Sequence, residues 1–317
     1  MNMTKKVKSG LLSGGLILAI AFIIITLEMN KAQNQNSTAN NSQNGEKLKV
    51  TASFYPLYYF SSEIGKDLAQ VTNITPAGAE PHDYELSSQE VKNIQSSQIL
   101  ILNGGKLEPW GDKIKTELST KTIVISAGQN IINQNSEEDG QAMLDPHVWL
   151  SPSLAQEEVQ IILHGFIQAD PKNAVIYTKN AQNLMERLNT LHEQYQTGLA
   201  DCKLRDFITA HTAFAYIARD YHLNQIGISG LSPNIEPSPT QLADLAKLAQ
   251  EKNIKYVFFE SLVSPKLAQT LAQEIGAQTL VLNPLEGLTT TEINQEKNYF
   301  TIMQDNLTNL RLALQCQ

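Results

Sequence analysis

The stretch "PKNAVIYTKNAQNLMERLNTLHEQYQTGLA", residues 171–200, decides how the chain is read. It keeps a helical pattern throughout, with proline only at its start, where the missing N–H and fixed φ do no harm. Val175, Leu184, Leu188 and Leu191 mark one apolar face. A helix of this length spans about 45 Å at 1.5 Å per residue, which suits a strut between two lobes better than an element of one domain.

Both flanks of the strut carry the same alternation. Upstream, "LKVTASFYPLYYF" (48–60) opens as a strand, "VTNITPAG" (71–78) is a second, and "SQILILNGG" (97–105) and "KTIVISAG" (121–128) are apolar runs ended by glycine. Helical stretches separate them. In "SSQEVKNIQSS" (87–97) Ser87 or Ser88 can cap and Glu90 can close a capping box. "SPSLAQEEVQIILHGFIQADP" (151–171) spaces Val159, Ile162 and Phe166 as a helix does. Downstream, the strands "RDFITAH", "QIGISG", "IKYVFFE" and "AQTLVLN" alternate with the helices "TAFAYIARDY", "SPTQLADLAKLAQEKN" and "SPKLAQTLAQEIG", before a last amphipathic helix, "YFTIMQDNLTNLRLAL" (299–314). Short strands alternating with helices predict parallel sheets. The fold class is therefore α/β: two lobes, 48–170 and 201–317, joined by one long rigid helix over 171–200. Ligands of open α/β sheets bind beyond the carboxyl ends of the strands, here in the interlobe cleft.

Ahead of the first lobe, Lys5, Lys6 and Lys8 precede an uncharged run from Leu11 to Leu27. This is the charge and hydropathy pattern of an export segment, and residues 1–27 read as a signal peptide or a retained membrane anchor. Residues 28–47, with the tract "NKAQNQNSTANNSQNGEK", are too polar to bury a core and read as a flexible linker. The remainder is placed outside the cytoplasm, on the periplasmic or extracellular face of the membrane. A net charge of −8 without a Lys/Arg stripe argues against nucleic acid. The two cysteines, Cys202 and Cys316, suggest one disulfide in an oxidising compartment; two buried free thiols are the other reading.

Six histidines divide into two groups. His164, His192 and His222 lie in or at the end of helical stretches and read as surface or packing residues. His82, in "PAGAEPHDYELSSQE", His147, in "LDPHVWLSP", and His211, closing "DFITA", all sit in strand-to-helix loops. Three imidazoles are a familiar zinc shell, and Pro81 and Pro146 stiffen two of the loops. Asp83 and Asp145 are candidates to orient the rings from behind.

At these residues the chain resembles a known family. "PAGAEPHDYELSSQEV", "NGGKLEPW", "DPHVWLSP", "ITAHTAFAYIARDY", "EPSPTQL", "YVFFESLVSPKLAQTLAQEIGA" and "LNPLEGLTTTE" together resemble the zinc-uptake substrate-binding proteins of bacterial ABC transporters, the ZnuA type, over about residues 48–317. The resemblance implies two four-stranded α/β lobes joined by a rigid helix, with Zn²⁺ bound between them by His82, His147 and His211. Manganese-binding relatives carry glutamate at the third position, so His211 favours zinc. The resemblance also implies a Cys202–Cys316 disulfide. The fourth ligand position, aspartate in many relatives, falls on Asn283, with Glu80 or water as the other candidates. The His-rich loop of many zinc members is replaced by "NQNSEEDGQAML" (133–144), a solvated turn in which Glu137, Glu138 and Asp139 can attract cations only weakly.

The resulting expectation is a non-enzymatic, monomeric capture protein that hands Zn²⁺ to an ABC permease subunit. Release would require the second lobe, with His211, to move relative to His82 and His147. A manganese or iron carrier of the same fold is the first alternative. A zinc hydrolase using Glu80 or Glu260 as base is the second, although no H-E-x-x-H pair is present. In the capture reading Glu260, at the end of "YVFFE", sits behind the metal rather than acting as a base.

Overall fold

Every apolar run read as a strand pairs in parallel with its neighbours. The first sheet has the order β2-β1-β3-β4, from β1 (Leu48–Ala52), β2 (Ala69–Asn73), β3 (Ile99–Leu102) and β4 (Ile123–Ser126). The second has the order β10-β9-β7-β8, from β7 (Asp206–Thr209), β8 (Asn224–Gly227), β9 (Tyr256–Phe259) and β10 (Gln278–Val281). A short antiparallel hairpin, β5 (Asn135–Glu138) with β6 (Gln141–Leu144), lies between them in sequence. The computed structural model describes residues 46–138, 141–235 and 237–317, and Lys47–Gln317 form one compact unit. The export-type segment, nearly all of the polar linker and Asp139 fall outside the described residues. Among the described residues no helix is long and apolar enough to cross a membrane.

Strand β3, "ILIL", is buried at all four positions, as a central parallel strand covered on both faces must be. Its alternate side chains face different partners. Ile99 and Ile101 join the main core, while Leu100 and Leu102 pack with Ile74, Ile94, Trp110 and Ile114. The second sheet divides in the same way: Phe207 and Phe258 enter the main core, and Ile208 and Val257 face the outer helices. One continuous apolar core therefore receives the inner faces of both sheets.

The helices that fill this core are α1 (Tyr55–Gly65), α4 (Pro152–Ala169), α5 (Ala174–Gly198) and α10 (Tyr299–Leu314). The strut α5 has 25 residues, about 37 Å, and is shorter than the predicted 171–200. A single 3₁₀ turn over Pro171–Asn173 absorbs its expected start. Its buried stripe is Tyr177, Ala181, Leu184, Leu188, Leu191 and Tyr195. Val175, expected on that face, is 83% exposed. Arg187 of α5 bonds Glu63 of α1 at 2.9 Å and lies 4.0 Å from the Phe300 ring centroid of α10, tying the strut to both halves.

The smaller helices are set by their caps. Helix α2 (Ser88–Gln95) begins with a capping box from Ser87 to Glu90. α7 (Pro239–Glu251) has Ser238 as cap, Pro239 in the first turn and Gln241 closing the box. α3 (Gly111–Glu117), α6 (Ala215–Asp220), α8 (Lys266–Ile275) and α9 (Thr290–Asn294) complete the set. Cys202 and Cys316 form a disulfide across 114 residues, joining the entry to β7 with the chain's end.

Candidate metal centre

The carboxyl ends of both sheets face one cleft. His82 follows β2, in a 3₁₀ turn (Pro81–Asp83) capped by the Glu80 side chain. His147 follows the β5–β6 hairpin, His211 follows β7, and Glu286 follows β10. One donor atom from each of the four lies within 4.8 Å of all the others. His147 and His211 are fully buried, Glu286 likewise, and the His82 side chain is 10% exposed.

The distances between these donors carry chemical information. His82 Nε2 is 3.3 Å from His147 Nε2 and 3.3 Å from Glu286 Oε1. His147 Nε2 is 3.1 Å from Glu286 Oε1 and 3.4 Å from His211 Nε2. His211 Nε2 is 3.4 Å from Glu286 Oε1. A regular tetrahedral shell with metal–ligand distances of about 2.0–2.1 Å has ligand-to-ligand edges of about 3.3–3.4 Å. Five of the six donor-to-donor separations thus match the edges of a zinc-sized tetrahedron, and the sixth, between His82 and His211, lies within 4.8 Å.

Two of the rings are fixed by one device used twice. Asp145 Oδ1 accepts the main-chain N–H of His147 at 2.9 Å and its Nδ1–H at 2.7 Å. Glu260 Oε1 accepts the main-chain N–H of His211 at 3.2 Å and its Nδ1–H at 2.7 Å. A carboxylate oxygen accepts from Nδ1–H, so when the ring is neutral its Nε2 lone pair is the one that points into the cleft.

The electrostatics favour a cation. Buried oxygens of Glu80, Asp145, Glu260 and Glu286 each lack a hydrogen-bond partner. Burial holds the His82 imidazole below its ordinary pKa. Burial also opposes charging of His147, but Asp145 and Glu286 outweigh it and raise the value. At His211, Glu260 and Glu286 overcome burial by more, and the pKa stands well above the histidine range. Burial would push Glu286 up, yet the His211 charge and three ring N–H partners hold it well below the carboxylate range. Burial, reinforced by the Glu286 charge, pushes Glu80 up to about 10. A divalent ion can replace the protons that this cluster holds.

Several expectations need correction. Asn283 does not reach the cluster: its Oδ1 accepts the Leu285 N–H at 2.7 Å, and its Nδ2 donates to Ser261 Oγ and Glu292 Oε1. Glu80 lies beside Glu286 rather than among the converging donors, and accepts the His82 N–H at 3.4 Å. Asp83 is exposed and bonded to Asn234 Nδ2, so it supports no ring. Glu286 was not singled out from the sequence, although it is the one carboxylate in the apolar run "NPLEGL" just past a strand end.

The segment bearing His147 is bonded to the second half at four points. Tyr216 donates to Asp145 O at 2.9 Å, and Ser151 donates to Asp220 at 2.5 Å. Trp149 Nε1 donates to Pro284 O at 2.8 Å, and Tyr299 donates to Trp149 O at 2.6 Å. The same segment is also held by the first half, where Asn103 Nδ2 donates to Pro146 O at 2.9 Å and the Trp149 ring packs edge-on against Phe54 with centroids 4.6 Å apart, so His147 sits where the two halves meet.

Two parallel α/β lobes closing over a buried tetrahedron of three imidazoles and one carboxylate define a metal-binding protein of the two-lobed solute-receptor class. A family model described as "Zinc-uptake complex component A periplasmic" matches residues 50–313, and the chain belongs to this family. It is 36% identical over 314 residues to the high-affinity zinc uptake system protein ZnuA of Bacillus subtilis strain 168, covering 95% of this chain and 97% of that protein. It is 38% identical over 288 residues to the zinc-binding protein AdcA of Streptococcus pyogenes serotype M6, covering 84% of this chain but only 56% of that longer protein. The crystal structure of the Zn(II)-bound ZnuA-like domain of Streptococcus pneumoniae AdcA superposes with a TM-score of 0.74 at 37% identity, covering 85% of this chain and 99% of that one.

Proposed function

We propose that the protein captures Zn²⁺ outside the cytoplasmic membrane and delivers it to an ABC permease, with His82, His147, His211 and Glu286 as the ligands. The observation that carries this reading is the spacing of the four donors, five of whose six separations are 3.1–3.4 Å. Asp145 and Glu260 orient two of the rings and raise their basicity. Three nitrogens and one carboxylate in a closed four-coordinate set suit Zn²⁺ over Mn²⁺, which prefers octahedral oxygen. Four protein donors leave no coordination position for an activated water, and this favours carriage over hydrolysis. Support for export comes from the N-terminal charge and hydropathy pattern and from the periplasmic family description. The protein works as a monomer.

Release proceeds through His82. Its loop holds the exposed residues Pro76, Ala77 and Gly78, and the Gly78 N–H bonds Leu288 O across the cleft at 2.9 Å. Moving this loop opens one corner of the tetrahedron, whereas separating His147 from His211 would break the four tethers described above. Calorimetric titration of the metal-stripped protein with Zn²⁺, alone and in competition with Mn²⁺, tests the function. One tight Zn²⁺ site that excess Mn²⁺ fails to displace is expected; equal affinity for both ions would refute the zinc assignment.

A further inference from the structure

Glu286 reaches the cluster from an unusual backbone. The residue before it, Leu285, has φ +60° although it is a fully buried leucine. Non-glycine side chains avoid this region because Cβ crowds the carbonyl oxygen, so something must hold the turn in place. Asn283 does so. Its Oδ1 accepts the Leu285 N–H at 2.7 Å, closing an Asx turn over Pro284. The amide is itself held on the other side by Ser261 Oγ at 2.7 Å and by Glu292 Oε1 at 2.8 Å. Glu292 is anchored in turn as the closing residue of the α9 capping box. The main chain of Asn283 is clamped from α10: its N–H donates to Asn306 Oδ1 at 2.8 Å, and its carbonyl accepts from Asn306 Nδ2 at 2.7 Å. Asn283 and Asn306 are both buried, at 3% and 1% exposure.

We infer that Asn283 is a positioning residue for zinc binding: its amide holds the left-handed turn at Leu285 that aims the Glu286 carboxylate at the three imidazoles. The amide is needed in both senses. The oxygen must accept from Leu285, and the nitrogen must donate to a hydroxyl and a carboxylate. An aspartate here would keep the acceptor, lose both donors and set a second charge against Glu292. The asparagine thus contributes through a ligand three residues away rather than by binding metal.

This inference rests on Glu286 being a ligand, and a double-mutant cycle on the full chain with Zn²⁺ separates the two claims. Asn283→Ala in the parent should weaken Zn²⁺ binding about 10- to 100-fold, the range of outer-shell changes. The same substitution in a Glu286→Ala background should change affinity by no more than about twofold, because nothing remains to be aimed. Asn283→Ser keeps a short acceptor for the Leu285 N–H and should recover part of the loss; it also replaces Asn283→Ala in the cycle if that variant does not fold. Equal losses in both backgrounds would show a general structural role and overturn the positioning assignment alone. Unchanged affinity in Glu286→Ala by itself would overturn the ligand assignment and the positioning role with it.

Discussion

A single oxygen of Glu260 accepts both the main-chain and the ring N–H of His211, at 3.2 and 2.7 Å. The ring can neither rotate nor change tautomer without losing a bond to a buried charge. Glu260→Gln keeps the shape but removes the charge that makes Nε2 a stronger donor. Zn²⁺ affinity should fall about 10- to 100-fold, with the fold intact by circular dichroism. Chelator competition giving the parent affinity would remove Glu260 from the site.

The release route through the His82 loop predicts an effect at a glycine. Gly78 has φ +82°, and an added Cβ there would meet nothing within 4 Å. Gly78→Ala should therefore act through backbone strain and not through a clash. A strain of about 1 kcal/mol on the closed loop would speed Zn²⁺ dissociation about fivefold. Stopped-flow release into a chelator reads this directly, and an unchanged rate would place the exit elsewhere.

Glu158, on α4, is fully buried and both of its carboxyl oxygens lack a hydrogen-bond partner. Burial raises its pKa well above the ordinary value. The folded protein therefore keeps a proton that the unfolded chain gives up above about pH 4.3. Its contribution to stability is whole below that pH and declines as pH rises toward the folded pKa. Glu158→Gln should stabilise the protein at neutral pH and flatten the fall in melting temperature between about pH 5 and 8. Parallel curves for the two proteins would contradict this.

The disulfide closes a loop of 114 residues, for which the chain-entropy model gives about 4–5 kcal/mol. Its Cys202 end lies before β7, whereas His211 lies beyond the other end of that strand. Cys202→Ser with Cys316→Ser should lower the melting temperature by several degrees and leave Zn²⁺ affinity within about twofold. A large loss of affinity would mean that the bond also shapes the cleft.

Much of this architecture was legible in the sequence because local chemistry and tertiary fold agree. Ser238, Pro239 and Gln241 supply a cap, a first-turn proline and a closing capping-box residue within four positions, and "ILIL" is a short apolar run bounded by polar and glycine residues, as a covered strand is. Three histidines at strand ends were visible for the same reason. What stayed hidden depends on contacts between distant segments. Val175 looks like a core residue by type, but the stripe starts at Tyr177, whose ring is buried while its hydroxyl bonds Asp170 at 2.8 Å. Glu286 is brought to the three imidazoles past a left-handed turn at a leucine, which no propensity would suggest. Asn283 occupies the expected ligand position in sequence, but its amide is taken up by the turn. Asp83 adjoins His82, one of the converging donors, yet bonds Asn234, because a 3₁₀ turn sends neighbouring side chains in different directions.

The core that passes unbroken from one sheet to the other has a mechanical consequence. An ion with longer bonds or a taste for six partners could be accommodated only by spreading the four corners, and three of those corners are fastened to that same dense interior. Close-packed interiors yield little to such pressure. The choice of cargo is thereby shared between the donor atoms and the stiffness of the frame that spaces them.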